Sequence, residues 1–299
     1  FLIAALLWFP WIFSTAAILL LFRPVHGVVQ PAIAWWYAHN LSTVFLGFAG
    51  LASTLYFIPK LLGRPLYSRQ LAGLTFWGLA LFGGCGGIPD GAPLPSWVAS
   101  LAVIGSVFML LPMLALGDNL RHTVRQQAKP LDADPTLRFT YAGVAFLFIA
   151  IAQQIVGALP HVSQITSLTW YGVAQKEFLH LGFFAMTIFG AMYYIVPRLL
   201  GLEASAWCPK LAKWHFILSV AGILISGLSL MVAGIQQGIL LSEPGHSFVD
   251  VMRSTLMPLR MSTLGDLFFL AGACNFLANF SGCVGTWCCQ WRAKLKEAR

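Results

Sequence analysis

TWYGVAQKEFLHLGFFAMTIFGAMYYIVPRLLG, residues 169–201, opens with glutamine, lysine, glutamate and histidine and runs on apolar enough to cross a bilayer. A hydrocarbon core is spanned by about 20 such residues in a helix, and an ionisable side chain inside it is costly unless it is paired or faces an internal cavity. Gln175, Lys176, Glu177 and His180 therefore mark this helix as a candidate site. A structural reading stands beside the functional one. Lys176 and His180 are four residues apart and Glu177 and His180 three apart, so the group can satisfy itself along one flank while Lys176 snorkels outward.

Working outward, the whole chain has the same character. Hydrophobic residues make up 58% and charged residues 9% of the 299, and the mean hydropathy is +0.77. A water-soluble domain of this size does not have that balance, so the expected fold is an all-α polytopic membrane protein. Eight segments approach or exceed the length of a span: 2–22, 33–58, 71–85, 97–117, 139–158, 170–197, 214–241 and 262–289. The third is short and ends in glycine. The chain starts at Phe1 with no charged region or cleavage site ahead of its first apolar segment, so a further N-terminal part is expected.

Orientation follows from the eighteen Lys and Arg. Fourteen lie after the even-numbered segments: Lys60, Arg64 and Arg69; Arg121, Arg125, Lys129 and Arg138; Arg198, Lys210 and Lys213; Arg292, Lys294, Lys296 and Arg299. The odd-numbered connections hold Arg23, Arg253 and Arg260, and Lys176 lies within a segment. The positive-inside rule then puts the even connections and both chain ends in the cytoplasm. The net charge of +8 is a matter of membrane orientation, and the dispersed bases form no nucleic-acid-binding patch.

The six cysteines, Cys85, Cys208, Cys274, Cys283, Cys288 and Cys289, form no C-x-x-C pair and no metal spacing. They are read as packing residues, with palmitoylation of Cys288 or Cys289 as the alternative.

An internal repeat organises the chain. LYFIPKLLG at 55–63 and YYIVPRLLG at 193–201 share a tyrosine, a proline three residues on, a base, and Leu-Leu-Gly, four segments apart. The proline is expected to stop a helix at the cytoplasmic interface, with the base in the headgroups and the tyrosine in the aromatic belt. This divides the transmembrane domain, 1–299, into a first four-helix unit at 1–118, a cytoplasmic loop at 119–138 and a second four-helix unit at 139–299. Twenty residues before Pro59 is His39, and twenty before Pro197 is Glu177. Both are expected at one depth, roughly 30 Å from the cytoplasmic prolines.

AWWYAHN (34–40), YFIPKLLGRPLYS (56–68), LTFWGLALF (74–82), PLPSW (93–97), DPTLRF (134–139) and FGAMYYIVPRLLG (189–201) occur in that order. Together they resemble subunit I of the heme-copper oxidases, in particular the C family of cbb-type cytochrome c oxidases. The resemblance covers nearly the whole chain. It implies a fold of twelve helices in three four-helix arcs, of which this chain matches helices five to twelve, and a prokaryotic cytoplasmic membrane as its location.

The ligand positions that the resemblance implies are mostly altered. His39 occupies the place of the first copper ligand. The His-His pair expected nine to ten residues before Trp97 is replaced by Gly87 and Ile88, and Gly83 and Gly84 stand near the place of the cross-linked tyrosine. The family's His-x-His, whose members lie about 200° apart on a helix, is replaced by Gln175 at the active-site heme position and Glu177 at the low-spin heme position. Carboxamide and carboxylate are poor axial ligands beside imidazole. His180, near 300° around from Glu177, is not a simple substitute.

The leading expectation is therefore a catalytically degenerate subunit I-like protein, not itself an enzyme, with no catalytic residues and no bound cofactor. It would serve within a respiratory or electron-transfer complex beside other membrane subunits, cytochrome c subunits and lipid. Two alternatives stay open. One is an active terminal oxidase or nitric-oxide reductase holding heme b and copper through rewired ligands such as His39 and His180. The other is a proton or ion carrier using Glu177, Lys176 and Asp266 in the vacated cavity.

Overall fold

The computed structural model describes residues 1–22, 25–89, 91–125, 134–203 and 206–297. Among them all regular structure is helical, which hydrocarbon demands, because each backbone N–H and C=O there has to find its partner within the segment. The helices are α1 (Leu2–Phe22), α2 (Val29–Leu62), α3 (Arg69–Phe82), α4 (Ser96–Arg125), α5 (Pro135–Ala158), α6 (Pro160–Thr166), α7 (Trp170–Leu199), α8 (Pro209–Ser242) and α9 (Phe248–Glu297). Among the described residues seven helices are long and apolar enough to cross a membrane, and α3 and α6 are the exceptions.

The expected third span is α3, with 14 residues and a length of about 21 Å, less than the thickness of a hydrocarbon core. It lies close against α4: a Cβ added at Gly78 would meet Pro112 at 2.8 Å. The expected connection at 242–261 is largely helical. α9 begins at Phe248 and runs for 50 residues, about 75 Å, so Arg253 and Arg260 lie on a helix and not in a loop. The expected loop at 119–138 is shortened from both sides, because α4 continues to Arg125 and α5 starts at Pro135. Of the basic residues used for orientation, Arg23, Lys129 and Arg299 lie outside the described residues.

The proline does not stop either helix. Pro59 and Pro197 lie inside the last turns of α2 and α7, and each helix ends four residues later at a glycine in the left-handed region, Gly63 (φ 66°) and Gly201 (φ 65°). The two ends are built alike. Gly63 N–H donates to Lys60 O at 3.4 Å and Arg64 N–H to Pro59 O at 3.1 Å; Gly201 N–H donates to Arg198 O at 3.2 Å and Leu202 N–H to Pro197 O at 2.8 Å. Late in a helix, the carbonyls left over are taken up by a glycine cap, and that cap is what the repeated Leu-Leu-Gly encodes.

The correspondence continues past the caps. Asn119 of α4 clasps the residue before α3, accepting from Ser68 N–H at 3.0 Å and donating to Ser68 O at 2.9 Å. Asn279 of α9 clasps the residue before α8 in the same way, through Cys208 N–H at 2.8 Å and Cys208 O at 3.2 Å. Both asparagines are buried. Each amide satisfies a backbone N–H before the helix that would otherwise be unpaired, and adds a second bond to a carbonyl that already accepts from the next turn, Ser68 O from Ala72 N–H and Cys208 O from Ala212 N–H.

All six cysteines are free, and only Cys283 is fully buried. Cys208, Cys274 and Cys289 are exposed on this chain, so packing within it accounts for only part of the set. In the turn after α3, burial pushes the Cys85 thiol pKa up, which keeps it protonated and unreactive.

Candidate functional site

The candidate helix α7 is fastened at its start. Thr169 is extended, and its hydroxyl accepts from Tyr171 N–H at 3.3 Å. Gln237 of α8 accepts from Trp170 N–H at 3.2 Å. Two of the donors that a helix start leaves free are thereby held. The backbones of α7 and α8 come close here because position 234 is glycine: an added Cβ would sit 2.0 Å from Tyr171 N.

From this start α7 carries Gln175, Lys176 and Glu177 inward, then widens into a π-helical stretch over Phe178–Ala185. α2 widens likewise over Asn40–Phe45. Both stretches begin nineteen residues before the repeated proline, directly after Glu177 in one helix and His39 in the other. Such widened turns are frequent at functional sites. They also change the angular spacing, so the 300° reckoned for His180 on a regular helix does not apply. His180 is partly buried and its Nε2 has no partner.

Gln175 and Glu177 face different neighbours. Gln175 lines a cavity of about 460 Å³ together with His39, Gly87, Ile88 and Lys176. Glu177 turns to α8 and α9. There Ser226 Oγ lies 3.4 Å from Glu177 Oε1, 2.9 Å from Asp266 Oδ1 and 3.2 Å from Ser262 Oγ. One hydroxyl proton serves one carboxyl group at a time. Lys176 is exposed, as expected of a snorkelling lysine, and is also among the residues that line the cavity with Gln175.

His39 and Asn40 hold the glycine-rich turn that follows α3. The ring Nε2–H of His39 donates to Gly83 O at 2.9 Å; a carbonyl only accepts, which fixes the proton on that nitrogen. Asn40 Nδ2 donates to Gly84 O at 3.2 Å and to Trp36 O at 3.0 Å, while its Oδ1 accepts from Trp8 of α1 at 3.2 Å. The turn then folds directly over the imidazole. A Cβ at Gly86 would be 2.7 Å from His39 Nε2, and one at Gly87, where φ is +91°, would be 2.3 Å from His39 Cβ.

This donor set does not fit copper or heme iron. Of the positions that the resemblance assigns to copper ligands only His39 is an imidazole, and its Nε2 carries a proton donated to a backbone carbonyl. The adjoining glycines leave no room for a second side chain. Among the described residues, no group of three or more His, Cys, Asp and Glu is placed to hold a metal. At the two positions that the resemblance assigns to heme ligands stand the amide of Gln175 and the carboxyl group of Glu177, the latter engaged with Ser226, where iron takes imidazole, thiolate, thioether or phenolate.

Two cavity residues escaped the reading of the sequence. Gln153 is buried, and its Nε2 donates to Tyr171 O at 2.9 Å while Tyr171 OH donates to Gln153 O at 3.0 Å. Gln154 Nε2 donates to Ser106 Oγ at 3.4 Å. The signal was present as two adjacent amides in the otherwise apolar run FLFIAIAQQIVGA.

A family model described as cytochrome C and quinol oxidase polypeptide I matches residues 1–268. The chain belongs to this family. A cytochrome c oxidase subunit 1 homolog of Agrobacterium tumefaciens (strain T37) is 30% identical over 256 residues, 83% of this chain and 47% of its own length. The cbb3-type cytochrome c oxidase subunit CcoN1 of Stutzerimonas stutzeri is 29% identical over 255 residues, 82% of this chain and 53% of its own. The oxidase polypeptide I fold is also that of a heme-copper terminal oxidase dimer solved by cryo-EM, at a TM-score of 0.76 and 16% identity over 94% of this chain and 55% of that one. The chain spans about half the length of the curated relatives it matches. With seven helices able to cross a membrane, it is a multi-pass membrane member of the oxidase polypeptide I family.

Proposed function

We propose that this protein keeps the oxidase polypeptide I scaffold without its metal chemistry and acts as a structural membrane subunit of a respiratory or electron-transfer complex. On this reading it lies in a bacterial cytoplasmic membrane with both ends cytoplasmic and beside other membrane subunits, arranged as two four-helix units, in which α3, held at Ser68 by Asn119 and at Gly83 by His39, makes the eighth crossing despite its short length. The observation that supports it best is the use made of His39. Its Nε2–H donates to Gly83 O at 2.9 Å, and Gly86 and Gly87 fold against the ring. The residue in the copper-ligand position has become the anchor of a turn, and copper with one imidazole would be weakly held and wrongly shaped.

The test is a heme and copper assay on the assembly purified with and without this subunit. Equal heme and copper in the two preparations supports the proposal. Stoichiometric loss of either when the subunit is left out overturns it.

A second reading, proton or cation transfer, draws on the Glu177–Ser226–Asp266 contact across three helices. Proteoliposomes test it: a flux that Glu177→Gln abolishes would favour it over a purely structural role.

A further inference from the structure

The repeated Tyr-x-x-Pro-base ends of α2 and α7 meet in space. In each helix the base comes one turn after its tyrosine and lies over that ring: Lys60 Nζ stands 4.7 Å from the centre of the Tyr56 ring, and Arg198 Cζ 3.4 Å from that of Tyr194. Tyr194 also packs on Phe57 of α2, with ring centres 5.2 Å apart, and Lys60 Nζ is 5.4 Å from the Tyr194 centre. One ring thus carries two cations from two helices, closer together than the ~10 Å over which 0.1 M salt screens charge.

Among the described residues neither base forms an ion pair with a carboxylate. Asp134, which lines a cavity of about 370 Å³ together with Arg198, is spent on capping α5, its Oδ1 accepting from Thr136 N–H at 2.7 Å. Both bases are exposed, as are Tyr56 and, one turn inward from Arg198, Ile195. Donors are left over on each. Lys60 gives one N–H to Tyr56 OH and Arg198 gives one to Tyr194 O at 2.8 Å, of the three and five that these side chains carry.

We propose that this pair of helix ends binds the head of an anionic phospholipid, with Lys60 and Arg198 both donating to its phosphate diester and the acyl chains lying beside Tyr56 and Ile195. Two uncompensated cations call for an anion. Their remaining N–H groups match the two free oxygens of a phosphate diester, and charge-assisted bonds to such oxygens are the strong ones. The ends of two helices able to cross a membrane put the bases at headgroup level and the apolar side chains beside the tails. A zwitterionic head brings an ammonium of its own, which the two bases repel. Scattered bases near a membrane attract anionic lipid without choosing a position; two bases fixed on one aromatic ring make a defined site. The proposal is independent of whether the chain binds metal.

Native mass spectrometry of the purified full chain in detergent, titrated with phosphatidylglycerol, tests it. One phosphatidylglycerol should bind ahead of all others, and phosphatidylcholine should bind there at least about fivefold more weakly. Lys60→Gln or Arg198→Gln alone should weaken the first site about fivefold. The double variant should hold the two lipids alike, while Lys60→Arg should keep the preference. Lys294→Gln with Lys296→Gln, two exposed bases of α9, should leave it unchanged. Soluble glycerol 3-phosphate, a phosphate without tails, should not displace the lipid. The proposal is overturned if phosphatidylcholine binds as tightly, if the monodisperse double variant keeps the preference, or if the α9 pair removes it equally. Displacement by glycerol 3-phosphate would make this a site for free phosphate and overturn the lipid assignment.

Discussion

Gly87→Ala measures how firmly the turn is folded over His39. Gly87 has φ +91°, and a Cβ there would stand 2.3 Å from His39 Cβ and 2.6 Å from its Cγ. A non-glycine residue in a left-handed backbone costs about 1–2 kcal/mol, and forcing a methyl into a filled space costs a further ~1–3 kcal/mol. The sum is about 2–5 kcal/mol, a large part of the stability of an ordinary domain. Gly282→Ala and Gly285→Ala in α9 are the controls. A Cβ at either meets nothing within 4 Å, so alanine in these helix interiors should stabilise by about 0.5–1 kcal/mol. Denaturant unfolding of the detergent-solubilised protein, read by size-exclusion and tryptophan fluorescence, should rank Gly87→Ala far below both. A double-mutant cycle sharpens the point. His39→Gly removes every side-chain atom that the new methyl would strike, Cβ included, so the His39→Gly, Gly87→Ala pair should lose at least about 1 kcal/mol less than the sum of the singles. Equal stability of Gly87→Ala and Gly282→Ala, or strict additivity in the cycle, would refute the contact.

Thr169→Ala removes the cap of α7 and should cost about 0.5–2 kcal/mol, measured by the same unfolding assay. Ser226→Ala removes the hydroxyl between Glu177, Asp266 and Ser262, with an expected loss of ~1–3 kcal/mol; Glu177→Gln in the same background should recover part of it, because the amide brings an N–H donor to the acceptors that the hydroxyl no longer serves. Asn119→Ala and Asn279→Ala should each destabilise by about 1–3 kcal/mol through the backbone N–H that each leaves unpaired, and near-equal losses would show that the two clasps are equivalent. A reporter fused to the C-terminus should be active in the cytoplasm, as the distribution of Lys and Arg requires; periplasmic activity would reverse the orientation.

Much of the fold was legible because hydrocarbon imposes it. Long apolar runs forced helices at α1, α2, α4, α5, α7 and α8, and the recurrence of Tyr-x-x-Pro-base-Leu-Leu-Gly pointed to a duplicated helix end. What the prolines do was misjudged. A proline is read as a stop, yet the glycine four residues on decides where each helix closes, because it alone takes the left-handed turn without strain. The N-terminal third of α9 was hidden by Arg253 and Arg260, since hydropathy sees the loss of a membrane span there but not the continuation of a helix beyond the bilayer. The site was half legible. Regular helical geometry separates Gln175 from Glu177 and sends them to different neighbours, as found. It does not anticipate the π-helical widening that begins at Phe178, nor that Lys176 would join Gln175 in the cavity. The asparagine clasps carry no local signature at all, because each pairs residues 51 or 71 positions apart.

The central claim is that His39 holds a turn and not a metal. Copper and heme per chain, measured by metal analysis and absorption spectroscopy on the purified assembly carrying either wild-type chain or His39→Ala, test it most directly. Identical copper and heme in the two, with a loss of stability of about 1–3 kcal/mol from the broken hydrogen bond to Gly83, is the predicted result. Loss of one copper per chain in the variant would contradict it.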